Sequence, residues 1–281
     1  MSSRHAGKVA IITGASSGIG AATALAMADA GMDLLLTARR TERLESIAAQ
    51  IRSRGRRALV VVADVSEPGF SQRLPALAQE QLGRLDIVFS NAGYGLERPM
   101  HEMTDAELRT MFEVNFFAGV ALLREAAQHM IARHRGGHLL MTSSCVSKFA
   151  LPSFGAYAAT KAAQESVCRA MRFELAPLGI EVASVHPVST TSEFFEQVST
   201  RSGTPSEPIH EHAPAWLIQS PERVARAVMK CLDHPRSEVW TSHLVRASSA
   251  LFTLCPSILD AVLRREARRQ RRRREACSTP S

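Results

Sequence analysis

Near the start of the chain an apolar run, Lys8-Val9-Ala10-Ile11-Ile12, passes directly into Thr13-Gly14-Ala15-Ser16-Ser17-Gly18-Ile19-Gly20, and an alanine-rich stretch from Ala21 to Ala30 follows. A buried strand, a glycine turn and a helix in that order leave few folds open. The glycines permit a tight turn with close backbone approach, and the helix start presents N–H groups that have no partner within the helix. Such a unit suits the pyrophosphate of a dinucleotide and predicts a parallel α/β sheet. The spacing is GxxxGxG, which differs from GxGxxG and also from GxxGxxG, because Ser17 stands where the latter has its middle glycine. The alternative is a turn that only packs helix on strand.

Further apolar runs follow at intervals, separated by segments of helical character. We expect strands over 8–13, 33–38, 59–64, 86–90, 137–143, 180–186 and 237–241. Strands that are apolar throughout, rather than alternating, belong to a sheet covered on both faces. The expected fold is therefore α/β, a doubly wound, Rossmann-like parallel sheet of about seven strands in three α/β/α layers. Helix starts carry their own signals: Thr104-Asp105-Ala106-Glu107 is a capping box, and Ser220-Pro221-Glu222 sets an N-cap before a first-turn proline and an acid. The 281 residues suffice for one core, without a repeat. We assign residues 1–263 to a single domain and 264–281 to a basic tail.

Chemistry is concentrated in Tyr157-Ala158-Ala159-Thr160-Lys161, with Ser144 thirteen residues before the tyrosine. Four residues apart on a helix, Tyr157 and Lys161 share a face. An ammonium beside the phenol favours phenolate and lowers its pKa from about 10, which suits proton exchange with a substrate oxygen.

With these strings the chain resembles the short-chain dehydrogenase/reductase family over residues 7 to 195. The resemblance extends to Asp64-Val65, which would meet the adenine, to Asn91-Ala92-Gly93 along the cofactor's edge, to Asn115, and to Ser143-Ser144 after the fifth strand. It implies a catalytic set of Asn115, Ser144, Tyr157 and Lys161. Ser144 would hold the substrate carbonyl, Tyr157 would give the proton, Lys161 would hold the nicotinamide ribose and stabilise tyrosinate, and Asn115 would anchor a relay water. Cofactor contacts would come from Gly14, Ser16, Ser17, Gly18, Ile19, Gly20, Arg39, Asp64, Val65, Asn91, Ala92, Gly93, Tyr157, Lys161, Pro187, Thr190 and Ser192. After the sixth strand the family's Pro-Gly reads Pro187-Val188, which removes a glycine's backbone freedom from that loop.

The second strand ends at Ala38 and is followed by Arg39-Arg40, with no carboxylate to hold a ribose diol. A guanidinium there welcomes a 2′-phosphate, so NADP(H) is favoured over NAD(H), with Arg39 the preferred contact. The implied reaction interconverts a ketone or aldehyde and an alcohol. Two alternatives stay open: 3-oxoacyl thioester reduction at the same site, and a non-catalytic dinucleotide-sensing protein. Residues 192–220 read as a mobile lid. Phe149, Leu151, Phe154, Phe194, Phe195 and Trp216 are candidates for the wall of a pocket taking a small apolar carbonyl or alcohol, and equally for ordinary core.

Five cysteines, at 145, 168, 231, 255 and 277, form no metal-ligand spacing, and Cys145 reads as a packing residue. His186 reads as a hydrogen-bonded core histidine. We expect a cytoplasmic protein, with neither a secretory signal nor a membrane-spanning run, and the resemblance implies a homodimer or homotetramer. The tail is distinctive: residues 264–275 hold eight arginines and two glutamates, a net +6 of the chain's +7. Cys255, Ile258, Leu259, Val262 and Leu263 precede it at helical spacing. Such a helix either lies on an anionic membrane surface as a peripheral contact or is a solvated end whose stripe packs on the body or another subunit, the second being preferred. Arginines without interleaved aromatics argue against specific nucleic-acid binding.

Overall fold

In a strand covered on both sides, alternate side chains must enter different cores. Val9 and Ile11 do enter one core, with Val88, Leu139 and Val182, while Ala10 and Ile12 enter the other, with Leu34, Leu36 and Phe89. A computed structural model describes residues 4–149, 151–191, 193–202 and 217–278, with the backbone alone at 195, 266 and 269–278. Its sheet has seven parallel strands in the order β3-β2-β1-β4-β5-β6-β7. They are β1 Val9–Thr13, β2 Asp33–Ala38, β3 Ala58–Val62, β4 Ile87–Ser90, β5 Gly137–Thr142, β6 Ile180–His186 and β7 Glu238–Trp240.

Helices α1 Gly18–Asp29, α2 Thr41–Ser53 and α8 Pro221–Asp233 cover one face, through residues such as Met27, Ile51 and Val228. On the other face lie α3 Phe70–Leu82, α5 Ala118–Ala132 and α6 Gly155–Leu175, through Leu74, Leu122 and Met171. Burying each such large side chain contributes about 1.5–3 kcal/mol relative to leaving it exposed. Between β4 and α5 come α4 Asp105–Phe112 and a π-turn, Glu113–Phe117. Helix α7 Phe194–Ser202 follows β6, and α9 His243–Leu254 and α10 Pro256–Ser278 end the described chain.

The expected capping box closes α4, Thr104 accepting from the Glu107 backbone and Glu107 from that of Thr104. Ser220 and Pro221 do start α8, although the Ser220 hydroxyl makes no cap bond.

The chain leaves β3 at the sheet edge and returns at β4, beside β1. The crevice at the carboxyl ends of β1 and β4 is thus a topological switch point, where open α/β sheets take ligands. At the opposite ends buried carboxylates hold the strand starts. Asp86 accepts from the Val9 N–H at 2.8 Å and from Arg84 at 2.6 and 2.7 Å.

Candidate active site

The glycine turn is shaped by backbone need. Gly14 and Gly18 have φ of +65° and +53°, where glycine carries no steric penalty. A Cβ on Gly20 would lie 2.2 Å from the Gly14 carbonyl oxygen, so α1 can approach β1 only with glycine there. Ser17 is the N-cap in extended conformation, and Ile19 lies in the first turn that follows.

Thr13 and Asn91 tie three strand ends together. The Thr13 hydroxyl accepts from the Asn91 and Ala92 N–H groups, both at 2.9 Å. The Asn91 amide donates to the Thr13 carbonyl at 3.2 Å and accepts from Thr142 at 3.0 Å. Next to it Gly93 runs so near the site that a Cβ would lie 3.1 Å from Asn115 Oδ1 and 3.5 Å from Lys161 Nζ. Thr13 begins the glycine motif, but a threonine there carries no local signal of this role.

Asn115 sits in the π-turn, almost wholly buried. Its side chain accepts from the Tyr94 N–H and donates to the Tyr94 carbonyl, each at 2.9 Å, and also reaches Thr160 at 3.2 Å. Its own carbonyl accepts from the buried Gln164 amide.

Ser144 opens a 3₁₀ turn, Cys145–Lys148, at the carboxyl end of β5. Tyr157 and Lys161 come from the start of α6, so strand end and helix converge. Lys161 is buried, and its ammonium donates to the Thr142 carbonyl at 2.8 Å. Its Nζ lies over the Tyr157 ring, 5.5 Å from the centroid. Burial brings the Lys161 pKa down to about 7. Tyr157 is pushed upward instead, by burial foremost and by Cys145, against the pull of a hydrogen bond with the Ser144 side chain. The spacing argument set an ammonium beside the phenol to lower its pKa; the Thr142 carbonyl holds that ammonium over the ring face, and burial raises the phenol instead.

Cys145 is a poor nucleophile, since burial raises its thiol to about 11. His186 is fully buried and stacks on Trp240 at 4.5 Å. Its Nδ1 lies 3.1 Å from the Ser144 carbonyl oxygen, which assigns the proton to that nitrogen, and Nε2 meets the Ser184 hydroxyl at 2.8 Å. Burial lowers its pKa, so the ring is a neutral strut beneath Ser144.

That strut belongs to a larger network. Lys148 bridges Glu165 and Glu238, and Glu238 also accepts from Trp240 at 2.8 Å and from Arg169 at 2.9 Å. Burial alone would raise Glu238, but hydrogen bonds from Trp240 and Lys148 and the Lys148 charge outweigh it and hold the carboxyl at about 2. The folded value lies below the roughly 4.3 of an unfolded glutamate. Its stabilisation is thus complete above about pH 4.3 and lost as pH falls toward 2. Glu238→Gln is expected to lower the urea midpoint at neutral pH, with the deficit narrowing as pH drops through that window. A deficit of constant size from pH 7 to 3 would refute this assignment.

Beyond β2 the two arginines divide. Arg39, with 61 % of its side chain exposed, pairs with Asp64 at 3.4 Å. Burial opposes ionisation of Asp64, but hydrogen bonds from Ser66 and the Arg39 charge hold its pKa low, and Val65 turns into the core. Arg40 instead turns onto the glycine loop, donating to Ser17 Oγ at 2.6 Å and Ser16 Oγ at 3.2 Å. From the other side both Arg40 and Arg43 donate to Glu193, just before α7. Neither the inward turn of Arg40 nor its lid carboxylate partner had a local sequence signal.

The α7 helix lies across the site. Phe194 packs on Tyr157 at 5.6 Å, Arg201 stands over the Tyr94 ring at 4.3 Å, and Ser202 accepts from the Glu97 N–H. Phe149 meets Phe252 of α9 edge-on at 5.9 Å. Pro187 accepts from the Cys145 N–H, while Thr190 is buried and bridges to Gln219. Val188 does not take a positive φ, so this loop takes its shape without a glycine. Ser192, the side chain of Phe195, and Trp216 lie outside the described residues.

The glycine loop, the helix start and the Asn91–Gly93 edge lie at the carboxyl ends of β1 and β4 with Arg40 turned onto the loop, so the residues present fit a dinucleotide. Residues 8–203 match the short chain dehydrogenase family. An uncharacterized oxidoreductase of Listeria innocua is 32 % identical over 230 residues, 81 % of this chain and 91 % of that protein. The A-factor type gamma-butyrolactone 1'-reductase (1S-forming) of Streptomyces virginiae is also 32 % identical, over 85 % of this chain and 93 % of its own. Among solved structures, a short chain dehydrogenase from Burkholderia cenocepacia in complex with NADP superposes with a TM-score of 0.74 at 28 % identity, covering 84 % of this chain and 97 % of that one; another similar chain holds NAD. The crevice and these likenesses agree, and the chain belongs to the short chain dehydrogenase family, oxidoreductases that act on CH–OH or carbonyl groups with a nicotinamide cofactor.

Proposed function

We propose that this protein is an NADP(H)-dependent reductase interconverting an apolar ketone or aldehyde and its alcohol, with Tyr157 as general acid and base. The observation that carries it is the meeting of Ser144, Tyr157 and Lys161 at the mouth of a dinucleotide crevice. The cofactor, when bound, supplies or accepts the hydride. Ser144 holds the carbonyl oxygen by its hydroxyl, and Tyr157 delivers a proton to that oxygen as charge develops there. Lys161, fixed by the Thr142 carbonyl with its ammonium over the phenol ring, holds the nicotinamide ribose. Asn115 holds the Tyr94 loop beside them.

Preference for the 2′-phosphate rests on Arg40 in the first place, because it already converges on Ser16 and Ser17, with Arg39 beyond it. Phe194, packed on the Tyr157 ring, sets an apolar side chain beside the phenol, which suits an apolar carbonyl. The experiment is NADPH oxidation by the purified protein against apolar ketones, aldehydes, diketones and 3-oxoacyl thioesters. Turnover of the simple carbonyls is expected; binding of NADPH without turnover of any of them would favour a sensor.

A homodimer or homotetramer is part of the same reading. Phe117 before α5, Phe173 in the last turn of α6 and Leu178 just after that helix are 52, 74 and 50 % exposed, and apolar surface of this kind marks an association face. Phe173→Asp is expected to reduce the molecular mass seen by sedimentation equilibrium; an unchanged mass would remove this face from the assembly.

A further inference from the structure

The end of the chain carries an apolar face that the body does not cover. Helices α9 and α10 meet at a 108° bend near Cys255. On α9, Leu244, Leu251 and Leu254 are 58, 47 and 80 % exposed, and on α10 Ile258 and Val262 are 44 and 53 % exposed. The spacings of 251 to 254 and 258 to 262 are those of one helix face. The opposite side of α9 is anchored to the body, with Ser249 buried and Phe252 against Phe149. Of the stripe read from the sequence, Leu259 and Leu263 are half-buried, whereas Cys255, Ile258 and Val262 are exposed.

Immediately after Val262 comes the cationic run. Arg264, Arg265 and Arg268 are exposed, and residues 264–275 carry +6 of a net +7, so the rest of the chain is close to neutral. Apolar side chains beside clustered arginines match a bilayer with anionic headgroups, which accepts both at once. A second copy on this face would bring two +6 segments together, which opposes that pairing. Nucleic acid would leave the exposed leucines, Ile258 and Val262 without a role. No single described helix is long and apolar enough to span a membrane, and the pair reaches the required length only across its bend. The geometry is that of a segment lying in the interface.

We propose that α9 and α10 form a peripheral anchor, seating Leu244, Leu251, Leu254, Ile258 and Val262 in the interface of an anionic membrane, with the arginines from Arg264 onward on its headgroups. Through Phe252 and Phe149 the anchor adjoins the turn that carries Ser144, placing the site near lipid-dissolved carbonyls.

The test is co-sedimentation of the full-length protein with vesicles of phosphatidylcholine alone and of phosphatidylcholine mixed with phosphatidylglycerol. Partitioning onto the mixed vesicles is expected to be at least about tenfold stronger, and to fall with rising salt. An Ile258→Asp, Val262→Asp double variant and a chain ending at Leu263 should each lose it, the double variant keeping the wild-type circular dichroism spectrum and the shortened chain losing only the helical signal of residues 264–278. Four results would overturn the proposal: equal partitioning onto neutral vesicles; retention of binding by the double variant; no vesicle binding while the double variant reduces the sedimenting mass, which would make the face a contact between copies; and preference for duplex DNA over vesicles. If the shortened chain fails to fold, the double variant decides.

Discussion

Tyr157→Phe is expected to reduce carbonyl turnover by about 10²–10⁴-fold, the range over which a positioned acid or base contributes, while leaving the dissociation constant for NADPH within about twofold. The reasoning is local. In the proposed reaction the phenol beside Ser144 is the donor, and its ring rather than its oxygen carries the contacts with Lys161 and Phe194. Phenylalanine keeps the ring, and with it the packing, but has nothing to donate. A thermal melt of the variant should therefore overlay that of the wild type. Turnover reduced less than tenfold would show that another group supplies the proton. Cys145, with its thiol raised to about 11, and His186, locked between Ser184 and the Ser144 carbonyl, are poorly suited to it.

Arg40→Ala is expected to weaken NADPH about 10- to 150-fold and NADH less than about threefold, corresponding to loss of one charge-assisted hydrogen-bond set of about 1.5–3 kcal/mol. Arg39→Asp should also move preference toward NAD(H), by placing a carboxylate where a ribose diol would be read. Glu193 makes the argument sharper, since its carboxylate, held in its ionised form by Arg40 and Arg43, stands in the cluster that would receive the phosphate. Removing that charge in Glu193→Gln should tighten binding of adenosine 2′,5′-bisphosphate. Fluorescence titration of the fragment and both cofactors reads all three variants. Unchanged selectivity in Arg40→Ala and Arg39→Asp together would remove the basis for NADP(H).

Much of the fold was legible because both determinants are local. A strand buried on both faces is apolar at most positions, so β1, β2 and β6 stand out as mainly apolar runs whose ends differ from the observed ones by at most one residue. The glycine turn was legible for the same reason, since Gly14 and Gly20 answer to steric demands within one short segment. Ser144, Tyr157 and Lys161 could be located by their spacing and by the strand and helix on which they lie.

What escaped depends on contacts between distant parts of the chain. Arg39 and Arg40 are chemically equivalent neighbours, and only the path of the chain after β2 decides which turns onto Ser16 and Ser17. Glu193 joins that cluster from 153 residues away. The carbonyl of Asn115 takes Gln164 from 49 residues on, a partner chosen by the π-turn's geometry. Phe194 could be nominated for the pocket, yet its place on Tyr157 depends on Gly95, where a Cβ would lie 2.8 Å from the Phe194 ring. The exposed stripe on α10 was equally ambiguous, because an amphipathic pattern states that a face is apolar and not what covers it.

The central claim, hydride delivery to a carbonyl governed by Tyr157, is tested most directly with NADPH deuterated at the transferring position of its nicotinamide. Incubated with an apolar ketone that the protein turns over, it should yield an alcohol with one deuterium on the carbinol carbon, and Tyr157→Phe should yield almost none. Alcohol formed without deuterium, or deuterium transfer undiminished in Tyr157→Phe, would contradict the account.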